Sequence, residues 1–399
     1  MRKIVLFSLF LLIGLAGSQT LPIIIGSEAF AHIKPFFDGM LYVCLAYIMI
    51  NVGREFELEK TKWKSYTKDY FIAMATAAVP WLLICGYYIM LLPAELRGNW
   101  NVWTETLLLS RFAAPTSAGI LFTMLAAAGL KKSWLYGKTR VLAIFDDLDT
   151  ILLMIPLQIF MIGMKWQLMV VIVFVIFCLY IGWTKLNKFR MYQSWSAILG
   201  YATILVFLFE GIHTVTAELF GHDSAIHIEI LLPAFIFGMI MKTHEHHSES
   251  FEKASSVISY MFMLLVGLSA PLFIGVDFSA TAGDCMIGHV GEMSWGEIAF
   301  HVMITTALSN LGKMLPMFFY RDRSLTERLA LSIGMFTRGE VGAGIIFIAI
   351  GYGLGGPLLA ISLLTILTNL ILTGFFVLIV KKLALKADAT QHSQQEVMA

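Results

Sequence analysis

Charge is scarce in this chain. Only 14% of its 399 residues are Asp, Glu, Lys or Arg, while 58% are hydrophobic. Soluble domains are about a quarter charged and roughly half apolar. With a mean hydropathy of +0.78, the composition excludes a soluble globular domain and implies a polytopic helical membrane protein. The net charge is +1, and no basic patch interleaved with aromatics occurs, so no nucleic acid partner is expected. Cysteine is scarce too. Cys44, Cys85, Cys178 and Cys285 lie far apart, three of them in apolar runs, which yields neither a disulfide framework nor metal-ligand spacing. They read as small buried hydrophobes. No GxGxxG follows a strand and no cytosolic nucleotide-binding module is present, so no cofactor is expected. Gly-x-Gly-Asp is also missing. An intramembrane aspartyl protease needs two aspartates on separate helices sharing a proton, and the chain is not expected to be an enzyme.

What the sequence does have is apolar runs of membrane-spanning length, about 20 residues for a bilayer core of roughly 30 Å. Twelve are read, at about 4–25, 36–53, 70–92, 104–130, 139–164, 167–184, 193–212, 225–241, 254–276, 294–319, 329–353 and 357–380. Basic residues test the count, because cytoplasmic loops collect Lys and Arg. With the N-terminus inside, alternation leaves only Lys34, Arg97 and Lys165 outside. Arg111, Lys313 and Arg338 fall within helices, and the rest of the 28 lie inside. Both termini are therefore expected in the cytoplasm. The start, Arg2-Lys3 followed by Ile4–Gly14 and Ala16-Gly17-Ser18, resembles a signal peptide. Leu21–Ile25 prolongs the apolar stretch, however, and the charge count favours a retained first helix. The loop around 242–253 carries His244, His246 and His247 with Glu245 and Glu252. It reads as a solvated loop, with metal binding or pH sensing as the alternative. Glu210 and His213 read as interfacial residues, with pH sensing again the alternative.

One stretch is an energetic anomaly. Asp146, Asp147 and Asp149 sit within the apolar run Val141–Met164. An aspartate near the bilayer centre costs about 2.5–3.5 kcal/mol, so three cost roughly 8–10 kcal/mol, most of what one helix of apolar residues gains. Such a cluster demands partners, a wet cavity or a cation.

Two runs look interrupted. The fourth contains Ala113-Ala114-Pro115-Thr116-Ser117-Ala118-Gly119, where proline removes a backbone donor. The eleventh contains Phe336-Thr337-Arg338-Gly339-Glu340-Val341-Gly342-Ala343-Gly344. Non-helical backbone at membrane depth survives only inside protein or beside a wet cavity. Paired interruptions in two halves point to a midplane site in an inverted-repeat transporter. The fourth and eleventh runs are seven apart, as are the fifth and twelfth. An odd separation in an alternating topology means opposite orientation.

The aspartate pair after a Thr-Ser break, then a lysine run, then Arg-Gly-Glu-Val-Gly, resembles the monovalent cation/proton antiporter superfamily. Within it, the likeness is to the electrogenic bacterial sodium/proton antiporter branch with paired aspartates. Leu11–Gly26 and Leu264-Leu265-Val266-Gly267-Leu268 resemble further segments of that family. The resemblance implies crossed broken helices four and eleven and a midplane ion site. It makes Asp147 the ion- and proton-binding acid, Asp146 its neighbour and Lys313 the lysine coupled to Asp146. Thr116 and Ser117 become the unwound segment beside the ion, and Arg338 and Glu340 a pair in the crossing helix. Two residues depart from the family pattern: Asp149 is an additional acid, and Thr337 stands where relatives have proline.

Hard monovalent cations prefer oxygen ligands, which Asp146, Asp147, Thr116 and Ser117 supply; Na+ and Li+ suit them. Proton and cation then compete for one site, and alternating access exchanges them. Asp149 reads either as a third proton carrier or vestibule acid, or as a polar residue facing water or a neighbouring helix. Arg111 reads as snorkelling to the outer interface, with lining of an outer funnel as the alternative. A K+/H+ exchanger and a sodium-coupled organic-anion symporter on a similar fold are the competing functions. The chain is expected to form one transmembrane domain over 1–385, with core helices over 70–164 and 294–380 and the remainder as scaffold or homodimer interface. A disordered cytoplasmic tail is expected over 386–399, with residence in the bacterial inner membrane among its lipids.

Overall fold

The structure is a computed structural model. It describes residues 2–54, 63–116, 130, 133–153, 156–157, 160, 166–186, 188–220, 230–242, 249–269, 285–289, 293–338 and 340–398. In chain order the α-helices are α1 (Arg2–Ile25), α2 (Ser27–Arg54), α3 (Trp63–Leu91), α4 (Trp100–Ser110), α5 (Trp134–Leu152), α6 (Trp166–Thr184) and α7 (Trp195–Phe220). They continue with α8 (Leu231–Ile240), α9 (Glu249–Leu268), α10 (Trp295–Gly312), α11 (Leu325–Gly334), α12 (Glu340–Gly351) and α13 (Gly356–Met398). Among the described residues the only β pairing is an isolated bridge between Phe189 and Met241. Among the described residues seven helices are long and apolar enough to cross a membrane, and Ile172–Gly182 and Val341–Gly351 are shorter apolar helices. Helix α13 runs on to Met398. Residues 386–398 belong to this helix. Their Ala, Lys, Gln and Glu are strong helix formers that extend a helix already nucleated.

The backbone divides into two compact units. One comprises Met1–Ser8, Lys60–Thr150 and Pro271–Ala399; the other comprises Leu9–Glu59 and Ile151–Ala270. In the second unit, helices approach through glycine, as membrane helices do where no hydrophobic effect drives association. A Cβ on Gly53 of α2 would lie 2.0 Å from the Phe235 carbonyl oxygen, and one on Gly238 of α8 would lie 2.1 Å from that of Ile50. The contact is thus reciprocal. Gly238→Val is expected to lower stability by about 1–3 kcal/mol, the cost of overpacking. Gly200→Ala, which meets nothing within 4 Å, serves as its control. Thermal unfolding in detergent measures both.

In the first unit α3 packs on α4 and α10, and α13 packs on α10 and α11. Helix starts are capped by side chains. Ser294 with Glu297 and Ser324 with Glu327 form capping boxes at α10 and α11, each satisfying otherwise orphaned N–H groups. One end of this unit is tied by Asp69 of α3, which is buried. It receives Lys138 Nζ from α5 at 2.8 Å and the Tyr320 hydroxyl at 2.8 Å.

Candidate functional site

The first expected interruption begins where the sequence places it, and the stretch after it, 117–129, lies outside the described residues. Helix α4 ends at Ser110 and passes through a 3-10 turn, Arg111–Ala113. No regular helix continues through Ala114, Pro115 and Thr116. Ser117, a candidate ligand, lies outside the described residues, as do His244, His246 and His247. The second interruption separates α11 from α12. Thr337 lies in this break, and its N–H and hydroxyl both donate to the Gly334 carbonyl, at 3.5 and 3.3 Å. A threonine can thus end this helix by taking up its last carbonyl. Glu340 is the first residue of α12; its side chain lies outside the description.

The two breaks meet. A Cβ on Gly342 of α12 would come within 2.8 Å of the Phe112 carbonyl oxygen, so glycine lets α12 lie directly on the 3-10 turn. The Thr116 hydroxyl donates to the Met335 carbonyl at 3.2 Å. Breaking a helix frees carbonyls, and in a low-dielectric interior each needs a donor. Arg338, 1% exposed, donates through Nη1 to the Pro115 carbonyl (3.3 Å) and to the Met335 carbonyl (3.2 Å). Its Nη2 donates to the Ser309 hydroxyl at 2.8 Å. Cations at carbonyl ends of helices also oppose the helix dipole.

Lys313 is the second cation. It follows the end of α10, is fully buried, and donates to the Ala114 carbonyl and to both oxygens of Asp146, at 2.7 Å (Oδ2) and 3.0 Å (Oδ1). The three protons of the ammonium thus have three acceptors. One lysine connects the first break to the aspartate helix. Asp147, also fully buried, projects about 100° further round α5 and lies within electrostatic range of Lys313. The structure therefore brings Asp146, Asp147, Thr116, Lys313 and Arg338 together.

Arg111 overturns an expectation. It does not snorkel: it is fully buried, with its guanidinium 4.2 Å from the centroid of the Trp81 ring. Nη2 donates to the Asp149 carbonyl at 2.9 Å and Nε to the Thr150 carbonyl at 3.2 Å. Both carbonyls belong to the last turn of α5, where the intrahelical partners run out. Proximity to a helix end suggested the interface, but the nearest cation-seeking groups were carbonyls of the next helix. Asp149 itself is 2% exposed, and Tyr70 hydrogen-bonds its side chain. Tyr70, Trp81 and Ser309 were not anticipated, since nothing in their local sequence marks which helix they face. Arg111→Lys cannot reproduce two-point capping and ring stacking. It is expected to cost about 1.5–3 kcal/mol, the scale of hydrogen bonds to a charged group, measured as a fall in detergent melting temperature.

Among the described residues no group of three or more His, Cys, Asp or Glu is placed to hold a metal ion. The four cysteines are free and buried. In the loop before α10, burial and the adjacent Glu105 carboxylate, which accepts from Sγ at 3.2 Å, push the Cys285 thiol up to about 12.

Fold and site together define an α-helical integral membrane protein in which the ends of two helices meet beside a buried acid–lysine pair. A solved structure of the same fold is the sodium proton antiporter MjNhaP1 from Methanocaldococcus jannaschii at pH 8. It aligns with a TM-score of 0.50 over 96% of this chain and 92% of that one, at 15% sequence identity. At that identity the likeness is one of fold. No known family profile and no curated protein matches the chain.

Proposed function

We propose that this chain is a secondary active antiporter that exchanges Na+ or Li+ for H+ by alternating access, and that the exchange is electrogenic. The observation that carries the reading is the buried Lys313–Asp146 pair fastened to the first helix break, in a fold shared with a sodium proton antiporter. Asp147, with Asp146, Thr116 and Ser117, supplies oxygen ligands of the kind a hard monovalent cation takes. Proton uptake neutralises Asp147, and the incoming cation displaces that proton and loosens Asp146 from Lys313. Arg338 holds the crossing carbonyls, and Glu340 balances the opposite half-helix end. The architecture that fits is twelve spans in inverted repeats with both termini cytoplasmic. Core helices over 70–164 and 294–380 carry the site, the rest mediate a homodimer, and the protein resides in a bacterial inner membrane.

Everted vesicles with a pH-sensitive dye test the assignment. Na+ and Li+ are expected to dequench the dye. Dequenching by K+ alone would assign the chain to K+/H+ exchange, and uptake of a labelled organic anion without proton flux would assign it to symport.

A further inference from the structure

Helix α5 is fastened to the first break at two levels, and the two fastenings differ in kind. At Asp146 the link is ionic. Lys313 holds that carboxylate and the Ala114 carbonyl together. One turn further along α5 the link is to backbone. Arg111, the first residue of the 3-10 turn, donates from Nη2 to the Asp149 carbonyl at 2.9 Å. Its Nε and Nη2 both donate to the Thr150 carbonyl, each at 3.2 Å. The guanidinium is itself held in place. It is fully buried and lies 4.2 Å from the centroid of the Trp81 ring of α3. The Trp81 indole N–H donates to the Leu107 carbonyl of α4 at 2.7 Å. Trp81 thus ties α3 to α4 and gives the planar fork of Arg111 a face to rest on.

The ionic fastening varies with the charge on Asp146. The backbone fastening does not, because a carbonyl oxygen stays an acceptor whatever proton or cation the carboxylates hold. With the ionic link alone, loosening Lys313 from Asp146 would free α5 to turn or slide against the segment that carries Thr116. Ligands drawn from two elements keep their spacing only if supporting groups hold those elements in register.

We propose that Arg111 is a positioning residue, which keeps Asp147 of α5 in register with the first break while Lys313 releases Asp146. Arg111 acts through main-chain carbonyls, so it holds the helix without competing for its acids. The clamp stands on geometry; its consequence for cation binding rests on the antiporter reading.

Equilibrium binding of radioactive sodium to the full chain in lipid nanodiscs, paired with sodium-driven proton flux in proteoliposomes, separates positioning from folding. Arg111→Gln is expected to weaken sodium binding about 10–100-fold, the scale on which supporting partners of a metal site act. The sodium KM of flux should rise by more than the maximal rate falls. Arg111→Lys, which keeps the charge but not the fork, is expected to fall between Arg111→Gln and the parent. Trp81→Leu, which leaves the carbonyl bonds in place, is expected to shift affinity in the same direction by less. Amide hydrogen exchange over the last turns of α5 should quicken in Arg111→Gln with or without sodium. Parental sodium affinity in folded Arg111→Gln, with only the melting temperature lowered, makes Arg111 a structural cap and overturns the proposal while leaving the antiporter reading intact. Should Arg111→Gln not fold, the sodium affinities of Arg111→Lys and Trp81→Leu decide in the same way. A parent chain that binds no sodium and moves no cation instead overturns the antiporter reading, and with it the role assigned to Arg111.

Discussion

Asp147→Asn is expected to reduce cation-driven proton flux to the level of empty vesicles. The amide preserves shape but cannot release a proton or supply charge to a cation. Loss of that single charge removes both halves of the competition. Folding should survive, because a neutral amide of the same shape costs less to bury than a charged carboxylate. The check is dye dequenching in everted vesicles alongside thermal unfolding of the same preparation. Flux that persists in Asp147→Asn moves the site elsewhere, with Asp146 the next acid to test.

Lys313→Met is expected to have the largest effect on stability. Methionine fills a similar volume but strands Asp146, which is fully buried, and withdraws the donor from the Ala114 carbonyl. Removing one member of a buried ion pair costs about 3–5 kcal/mol. Replacing both members with neutral groups is often nearly neutral. The double variant Lys313→Met with Asp146→Asn is therefore expected to recover most of the loss. This double-mutant cycle separates the pair from other roles of Lys313. Exchange in the double variant should continue with altered charge per cycle, since Asp147 remains. Potential dependence unchanged from the parent would break the proposed coupling between Asp146 and Lys313.

Much of this arrangement was legible in the sequence, for a physical reason. Charges in apolar runs are costly, so Asp146, Lys313 and Arg338 stood out and had to find one another or free carbonyls. Pro115 announced a break because it lacks an N–H. The three glycines after Arg338 marked the second break, and one of them, Gly342, is where α12 lies on the turn beside Phe112. Arg111 was misread. Sequence position gives depth along a helix but not azimuth, and azimuth put Arg111 against Trp81 and the end of α5. The same limit concealed Tyr70 and Ser309, whose partners lie 79 and 29 residues away. Thr337 left the exact point of the second break open, and its hydroxyl takes up the Gly334 carbonyl locally.

The measurement closest to the central claim is proton flux in proteoliposomes holding the purified chain, driven by a sodium gradient with the membrane potential first clamped at zero and then set negative inside. Electrogenic exchange of sodium for more than one proton at a buried aspartate site predicts flux that requires sodium and whose rate changes when the potential is imposed. Flux that no alkali cation drives contradicts the antiporter reading, and sodium-driven flux indifferent to the potential contradicts electrogenic coupling.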